Sequence, residues 1–212
     1  MASLADRITS FFNGSDSTAD EGLRDLFISE LKSVYYAEKR IVSALGEQAD
    51  ASTTNEVHTA FLQHQDQSRE QVERLEEIFK IIGMKTEERA SSAIDGLISD
   101  ARTVVSDTEE GSLTRDAALI IAAQKIEHYE IAIYGSLLTL AHVLDFTQSS
   151  ELLARTLDEE KETDRKLTVL AESFVNNRAK EEEEQHPGSH HASRQPAHSA
   201  DADVTLGGTL GI

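Results

Sequence analysis

In the stretch Gln124-Lys-Ile-Glu-His-Tyr-Glu130, two carboxylates, Glu127 and Glu130, stand where a helical hydrophobic stripe calls for Leu or Ile. The same defect recurs at Glu38, at His64, and at Glu160 with Asp164. A buried charge costs several kcal/mol or more unless it is paired or bound to a metal. Four stripes that each carry an ionisable residue near mid-length therefore predict a polar site shared inside a helical bundle.

The stripes are long. The first runs Leu23, Leu26/Phe27, Leu31, Val34, Glu38, Ile41, Leu45, with Glu38 seven residues from both Leu31 and Leu45 and so on the buried seam. Thr18 with Glu21 reads as the capping box that starts this helix, and Gly46 to Ser52 as the region that closes it. Thr53 and Glu56 form a second box. The stripe that follows, Val57, Ala60/Phe61, His64, Gln67/Ser68, Gln71, Leu75, Ile78/Phe79, Ile82, ends at Gly83.

Residues 87–105 form a shorter amphipathic segment, long enough to cross a bundle from end to end. Gly111 and Thr114 introduce the third long helix, from Leu119 to Leu140/Ala141. Thr147 to Ser150 supplies a turn and cap, and the fourth helix runs from Leu153 to Phe174. Both prolines, Pro187 and Pro196, lie beyond these segments, as long unbroken helices require. The expected fold is all-α: a four-helix bundle over 18–178 with a crossover helix between its second and third long helices. A short N-terminal segment, 1–17, precedes it. An acidic, His-rich linker without a stripe, 179–203, follows and is expected to be disordered. An apolar end, 204–212, closes the chain.

The chain has no Cys, so any metal must be held by carboxylate, imidazole or amide, which favours iron or manganese over a thiolate zinc site. A formal charge of −19 argues against nucleic acid or an anionic membrane as partner. No basic segment followed by a long apolar run opens the sequence, and no run approaches ~18 apolar residues. A cytoplasmic location is the default expectation.

A pair of divalent ions needs several carboxylates to bridge them and offset their charge, plus one or two imidazoles, all from facing helices. The candidates are Glu38, His64 with Gln67, Glu127-x-x-Glu130, and Glu160-x-x-x-Asp164. Each pair lies at i, i+3 or i, i+4 and hence on one helix face. A shift of 92 residues lays Leu31, Val34, Glu38, Ile41 and Leu45 over Ala123, Ile126, Glu130, Ile133 and Leu137. Shared heptad spacing alone can give so short a match, but two related helix pairs would suit a pseudo-symmetric two-metal site. Tyr129 and Tyr134 lie close enough in sequence to serve as hydrogen-bond donors or redox neighbours, with packing the plainer role. One Glu on a seam is ordinarily a snorkelling edge residue, and a lone His a hydrogen-bonded core histidine. The joint pattern is what favours a metal.

AAQKIEHYEIAIYGSL, together with YYAEKRI, AFLQHQ and LDEEKETDRKL, resembles the signature of the YciE/YciF-type ferritin-like family, over roughly residues 20–175. The resemblance implies a ferritin-like, rubrerythrin-related bundle with a carboxylate-bridged dinuclear metal centre, iron or alternatively manganese. It also implies dimerisation and a link to stress responses. Glu38, His64, Glu127, Glu130, Glu160 and Asp164 match the family's metal-binding positions. One departure stands out. The family usually carries Glu three residues after the histidine, where this chain has Gln67 and then Ser68. Gln67 offers only a neutral amide oxygen, so one metal position is expected to be weaker.

The terminal VTLGGTLGI resembles the C-terminal targeting peptides of encapsulin cargo proteins, with GTL where those often carry GSL. Val204, Leu206, Leu210 and Ile212 would fill pockets on a shell protein, while Gly208 and Thr209 form the centre of the match. Three functions are consistent with the sequence. The first is a dinuclear-iron oxidase acting on Fe(II) with dioxygen or peroxide, packaged in an encapsulin compartment. The second is a non-enzymatic metal-binding or stress-related interaction protein with a weakened di-metal site. The third is a bundle whose buried polar residues only set helix register.

Overall fold

A computed structural model describes residues 22–185. Its first helix, α1, spans Leu23–Ala51 and its second, α2, Asn55–Ile81. The crossover helix α3 spans Ser92–Asp107, and α4 spans Leu113–Val143. Helix α5 spans Thr147–Leu170 and passes through a π-helical turn, Ala171–Val175, into α6, Asn176–Gln185. The described residues contain no strand. The all-α bundle with a crossover helix is thus the observed architecture.

The short connections make α1/α2 and α4/α5 antiparallel hairpins. Thr53 donates through its hydroxyl to the Ser112 carbonyl at 2.8 Å, which places the start of α4 beside the α1–α2 turn. Helix α4 therefore runs antiparallel to α1 and parallel to α2. The chain reaches this starting point by running back along α1. Lys32 pairs with Glu87 at 2.6 Å, Lys39 with Glu88, Arg40 with Asp95 at 3.1 Å and Glu47 with Arg102 at 2.8 Å. These partners rise together in sequence, so α3 lies parallel to α1 and carries the chain from the end of α2 to the other end of the bundle. Because the pairs are largely exposed, they set path more than stability.

The helix boundaries depart from expectation in several places. Helix α1 begins at Leu23 rather than Thr18, because Gly22 is extended (φ −171°, ψ 175°) and makes the N-cap. The Thr18 box itself lies outside the described residues. Gly46 does not close α1 but sits inside it. The Gln65 amide crosses α1 there to donate to the Val42 carbonyl at 2.7 Å. A Cβ on residue 46 would come 2.8 Å from that amide nitrogen, so glycine makes room for the crossing. The cap of α2 is Thr54, one residue later than expected, and its hydroxyl accepts from the Val57 N–H.

Buried Asp116 holds this whole corner. Its carboxylate accepts from the Thr53 and Thr54 N–H groups at 2.7 and 2.9 Å and from the Thr54 hydroxyl at 2.6 Å. At the other end, the expected turn at Thr147–Ser150 is already the first turn of α5. The chain turns instead at Asp145, which adopts a left-handed φ of 58° that a short polar side chain tolerates. The Phe146 N–H reaches the Ala141 carbonyl at 2.9 Å in a Schellman closure, and the Phe146 ring packs on Phe27 at 5.4 Å.

Residues 179–185 are helical, not part of a disordered linker. Their acidic sequence is used: the Glu182 carboxylate accepts from the Leu113 N–H at 2.8 Å, at the positive end of α4. The rest of the expected linker and the terminal peptide lie outside the described residues.

The core is two apolar clusters rather than one. Ala37, Ile41, Leu45, Phe61, Leu119 and Ile126 belong to the cluster nearer the α1–α2 turn. Phe27, Leu31, Val34, Leu75, Phe79, Leu137 and Leu153 belong to the other, nearer the α4–α5 turn. Glu38, His64, Gln71, Glu127, Glu130 and Glu160 form the polar layer between them.

Candidate metal centre

Each helix brings its ionisable residue to the same level for the same reason. The apolar stripes on both sides must face inward, and the helical period carries the polar residue in with them. The outcome is a cluster in which His64, Glu127, Glu130 and Glu160 each offer a ligand atom within 4.8 Å of the other three. Glu38 joins it from α1: its carboxyl accepts from the Tyr134 hydroxyl at 2.5 Å and interacts directly with that of Glu130. The four Glu side chains reach no solvent.

The donor set decides what could occupy this layer. Both oxygens of Glu127 and of Glu130, one each of Glu38 and Glu160, and both ring nitrogens of His64 lack a hydrogen-bond partner. The His64 Nε2 lies 3.3 Å from Glu127 Oε1 without hydrogen-bond geometry. These atoms are nearly all acceptors, and acceptors facing one another can be satisfied only by protons or by a cation. Carboxylate oxygens with one imidazole, and no thiolate, fit an iron- or manganese-type ion.

The electrostatics agree. Burial, more than any other cause, drives the carboxyls toward their neutral forms: Glu38 is pushed up to about 7 and Glu160 up to about 8. Glu127 and Glu130 lie well above the usual carboxylate range, through burial first and repulsion from neighbouring carboxylates second. Burial lowers His64 to about 4, so its imidazole is neutral and available as a ligand at ordinary pH. Without a cation, the layer is held together by protons.

Two residues orient the carboxylates from outside. Gln71, fully buried one turn beyond Ser68, donates its amide N–H to Glu160 and, at 3.3 Å, to Glu159. Buried Arg74 holds Glu159 at 2.8 Å and the Thr156 hydroxyl at 2.6 Å, which fixes the turn that carries Glu160. Both face the site because they lie on the stripe of His64. The periodicity of the sequence puts Gln71 on that stripe but gives it no role. The signal in the sequence is an unbroken polar run from His64 to Gln71 that outlasts the one ligand.

Two of the expected site residues are engaged elsewhere. Asp164 is partly exposed and lies against Gln124 at 3.3 Å and His128 at 3.4 Å, on the α4–α5 seam beside the cluster. Gln67 accepts from the Thr163 hydroxyl at 3.2 Å, in a groove between α2 and α5. Of the two tyrosines, Tyr134 is part of the layer. Tyr129 instead meets Ser91 at 3.4 Å, where the chain enters α3.

The family described as a domain of unknown function, DUF892, matches residues 22–180. Protein YciF of Escherichia coli is 42% identical over 158 residues, covering 74% of this chain and 95% of that protein. The crystal structure of the E. coli stress protein YciF superposes with a TM-score of 0.70, covering 74% of this chain and 98% of that one. YcfI from Rhodopseudomonas palustris, 33% identical, also gives 0.70, over 73% of this chain and 98% of its own. A protein from Xanthomonas campestris pv. campestris, only 17% identical, shares the fold with a TM-score of 0.62, over 76% of this chain and 99% of its own.

Proposed function

The chain belongs to the DUF892 family, with the stress protein YciF among its relatives, and from that premise we propose that it is a ferritin-like dinuclear-iron protein that handles iron under oxidative stress. The observation that carries this reading is the buried, acceptor-rich layer of Glu38, His64, Glu127, Glu130 and Glu160. These residues would hold the ions, with manganese as the alternative metal. Bound iron supplies the chemistry, oxidation of Fe(II) by dioxygen or peroxide.

The chain's own part is to prepare the site. The carboxyls, held largely protonated by burial, would give up their protons to bound cations, so that negative charge is exposed only where it is neutralised. Gln71 holds one Glu160 oxygen and Tyr134 one Glu38 oxygen, leaving the partner oxygen of each free to bind. The two apolar clusters on either side keep bulk water from the layer. His64, neutral and without a hydrogen bond, is ready to donate a nitrogen lone pair.

Iron content after anaerobic Fe(II) loading tests the proposal. The wild-type chain should retain about two ions, as in a two-metal site, and the Glu130→Ala/Glu160→Ala double variant none. No iron on the wild type overturns it. One observation favours the second reading, a weakened site without turnover: Gln67 and Asp164 are held by Thr163 and by Gln124 with His128. A single ion per chain, with no Fe(II) oxidation on admitting oxygen, would select that reading.

The terminal peptide extends the proposal to partners. Its apolar residues, Val204, Leu206, Leu210 and Ile212, would dock the protein inside an encapsulin shell as a homodimer or higher homo-oligomer. Deleting residues 204–212 should abolish co-purification with a co-expressed shell protein. Unchanged association refutes the targeting role. Light scattering on the free protein checks the oligomer.

A further inference from the structure

We propose that the groove between α2 and α5 is the passage by which divalent cations reach the buried carboxylates, with His64 as its inner door; this rests on the metal-binding reading above. The groove has a volume of about 460 Å³, and its lining includes Gln63, His64, Gln67, Glu159, Thr163 and Lys166. His64 is the only member of the layer that keeps contact with the surface: it is 6% exposed, whereas Glu38, Glu127, Glu130 and Glu160 are each 0% exposed. Its nitrogens are buried, and Nε2 lies 3.3 Å from Glu127. The wall between groove and carboxylates is therefore one imidazole thick.

No hydrogen bond pins that imidazole. What spans the groove is the bond from the Thr163 hydroxyl to the Gln67 amide oxygen at 3.2 Å, one turn along α2 from His64. This bond ties the two walls together beside the door. The other approach, along the α4–α5 seam, is occupied by Asp164 in contact with both Gln124 and His128, and it leads to Glu127, which has no exposure at all. The carboxylates on the groove lining, Asp66, Glu70 and Glu159, outnumber its basic residues, Arg155 and Lys166, which suits a cation. Glu159 stands on the groove wall one residue before Glu160, and Arg74 and Arg155 hold it in place.

Uptake kinetics separate this idea from the metal reading itself. Metal-free full-length protein would be mixed with Co(II) in a stopped-flow instrument, with a dye reporting free Co(II), and the end point would be measured separately. Thr163→Val removes the bond that spans the groove and should speed uptake roughly fivefold, the effect of one net hydrogen bond on opening. Ala60→Leu fills the groove one turn before His64 and should slow uptake severalfold. Both should bind as much Co(II) at equilibrium as the wild type. His128→Ala, on the seam, should leave the rate unchanged. Wild-type rates in both groove variants, or slowing confined to His128→Ala, would overturn the passage while leaving the metal site standing. No Co(II) bound by the wild type would overturn both. Should Ala60→Leu lose its helical circular dichroism, Thr163→Val decides alone.

Discussion

Raising the pH from 6 to 8 should destabilise the metal-free protein, in contrast to proteins whose buried carboxylates are paired. Glu38 and Glu160, held up at about 7 and about 8, keep protons in the folded chain that they lose near 4.5 when it unfolds. The folded state binds more protons, so the free energy of unfolding falls as pH rises, from 4.5 through those folded values. Integrated from pH 6 to 8, the loss is about 1 kcal/mol for Glu38 and about 2 kcal/mol for Glu160. His64 runs the other way. Its folded value of about 4, against 6.5 for a free imidazole, makes it a penalty in acid that fades as pH rises. Over the same interval it returns about 1 kcal/mol.

The net is a loss of about 2 kcal/mol, to which Glu127 and Glu130 add with the same sign. Glu47, Glu87 and Glu162 are lowered by basic partners, so they are ionised in both states throughout this window and contribute nothing. The measurement is a set of urea midpoints at pH 6, 7 and 8 on chelator-treated protein, repeated with Mn(II). Bound cation replaces the protons, so affinity rises with pH and the trend should flatten or reverse. At a hundred times its dissociation constant the ion adds about 2.7 kcal/mol. Metal-free protein as stable at pH 8 as at pH 6 would refute the reasoning, because the layer would then be neither buried nor repulsive.

Three substitutions probe the surroundings of the layer. Gln71→Leu frees Glu160 from its donor and should weaken metal binding by about 10–100-fold, read by competition with a chelating dye, as loss of an orienting partner does elsewhere. Tyr134→Phe leaves Glu38 without its hydroxyl donor, raising its proton affinity further, so the pH at which metal binds half-maximally should move upward. Asp116→Ala leaves the Thr53 and Thr54 N–H groups unsatisfied at the corner and should cost about 3 kcal/mol in urea unfolding. That loss should be equal with and without metal, since the corner lies at the end of the bundle.

What the sequence revealed, and what it hid, divides along physical lines. Stripe periodicity is a local property, and it located Glu38, His64, Glu127, Glu130 and Glu160 on their inward faces, which is where they lie. The crossover was legible because residues 87–105 are amphipathic and a bundle needs a return path. The helix ends were less legible, since each is settled by a partner far along the chain. Gly46 sits inside a helix as the gap through which Gln65 crosses, and Glu182 lies on a helix from which its carboxylate accepts from the Leu113 N–H. Asp164 shows the limit of spacing arguments. It lies one turn from Glu160, yet the ~40° by which four residues overshoot a full turn, and the neighbouring His128 and Gln124, place it on the seam.

The remaining question is whether the polar layer is only a device that fixes helix register. A buried polar residue kept for register works by matching donor to acceptor across the interface, as a single Asn does in a coiled coil. Here the balance is wrong for that role. Tyr134 and Gln71 donate to the layer, while unpartnered oxygens remain on Glu38, Glu127, Glu130 and Glu160. Amides fit sterically at this level, since Gln71 already occupies it. Register could therefore be fixed by Gln in place of Glu at no electrostatic cost. The metal-free chain instead bears carboxyls whose ionisation opposes folding above about pH 7. Under the proposed reading, a cation held among these carboxylates would turn that arrangement from a liability into a source of stability.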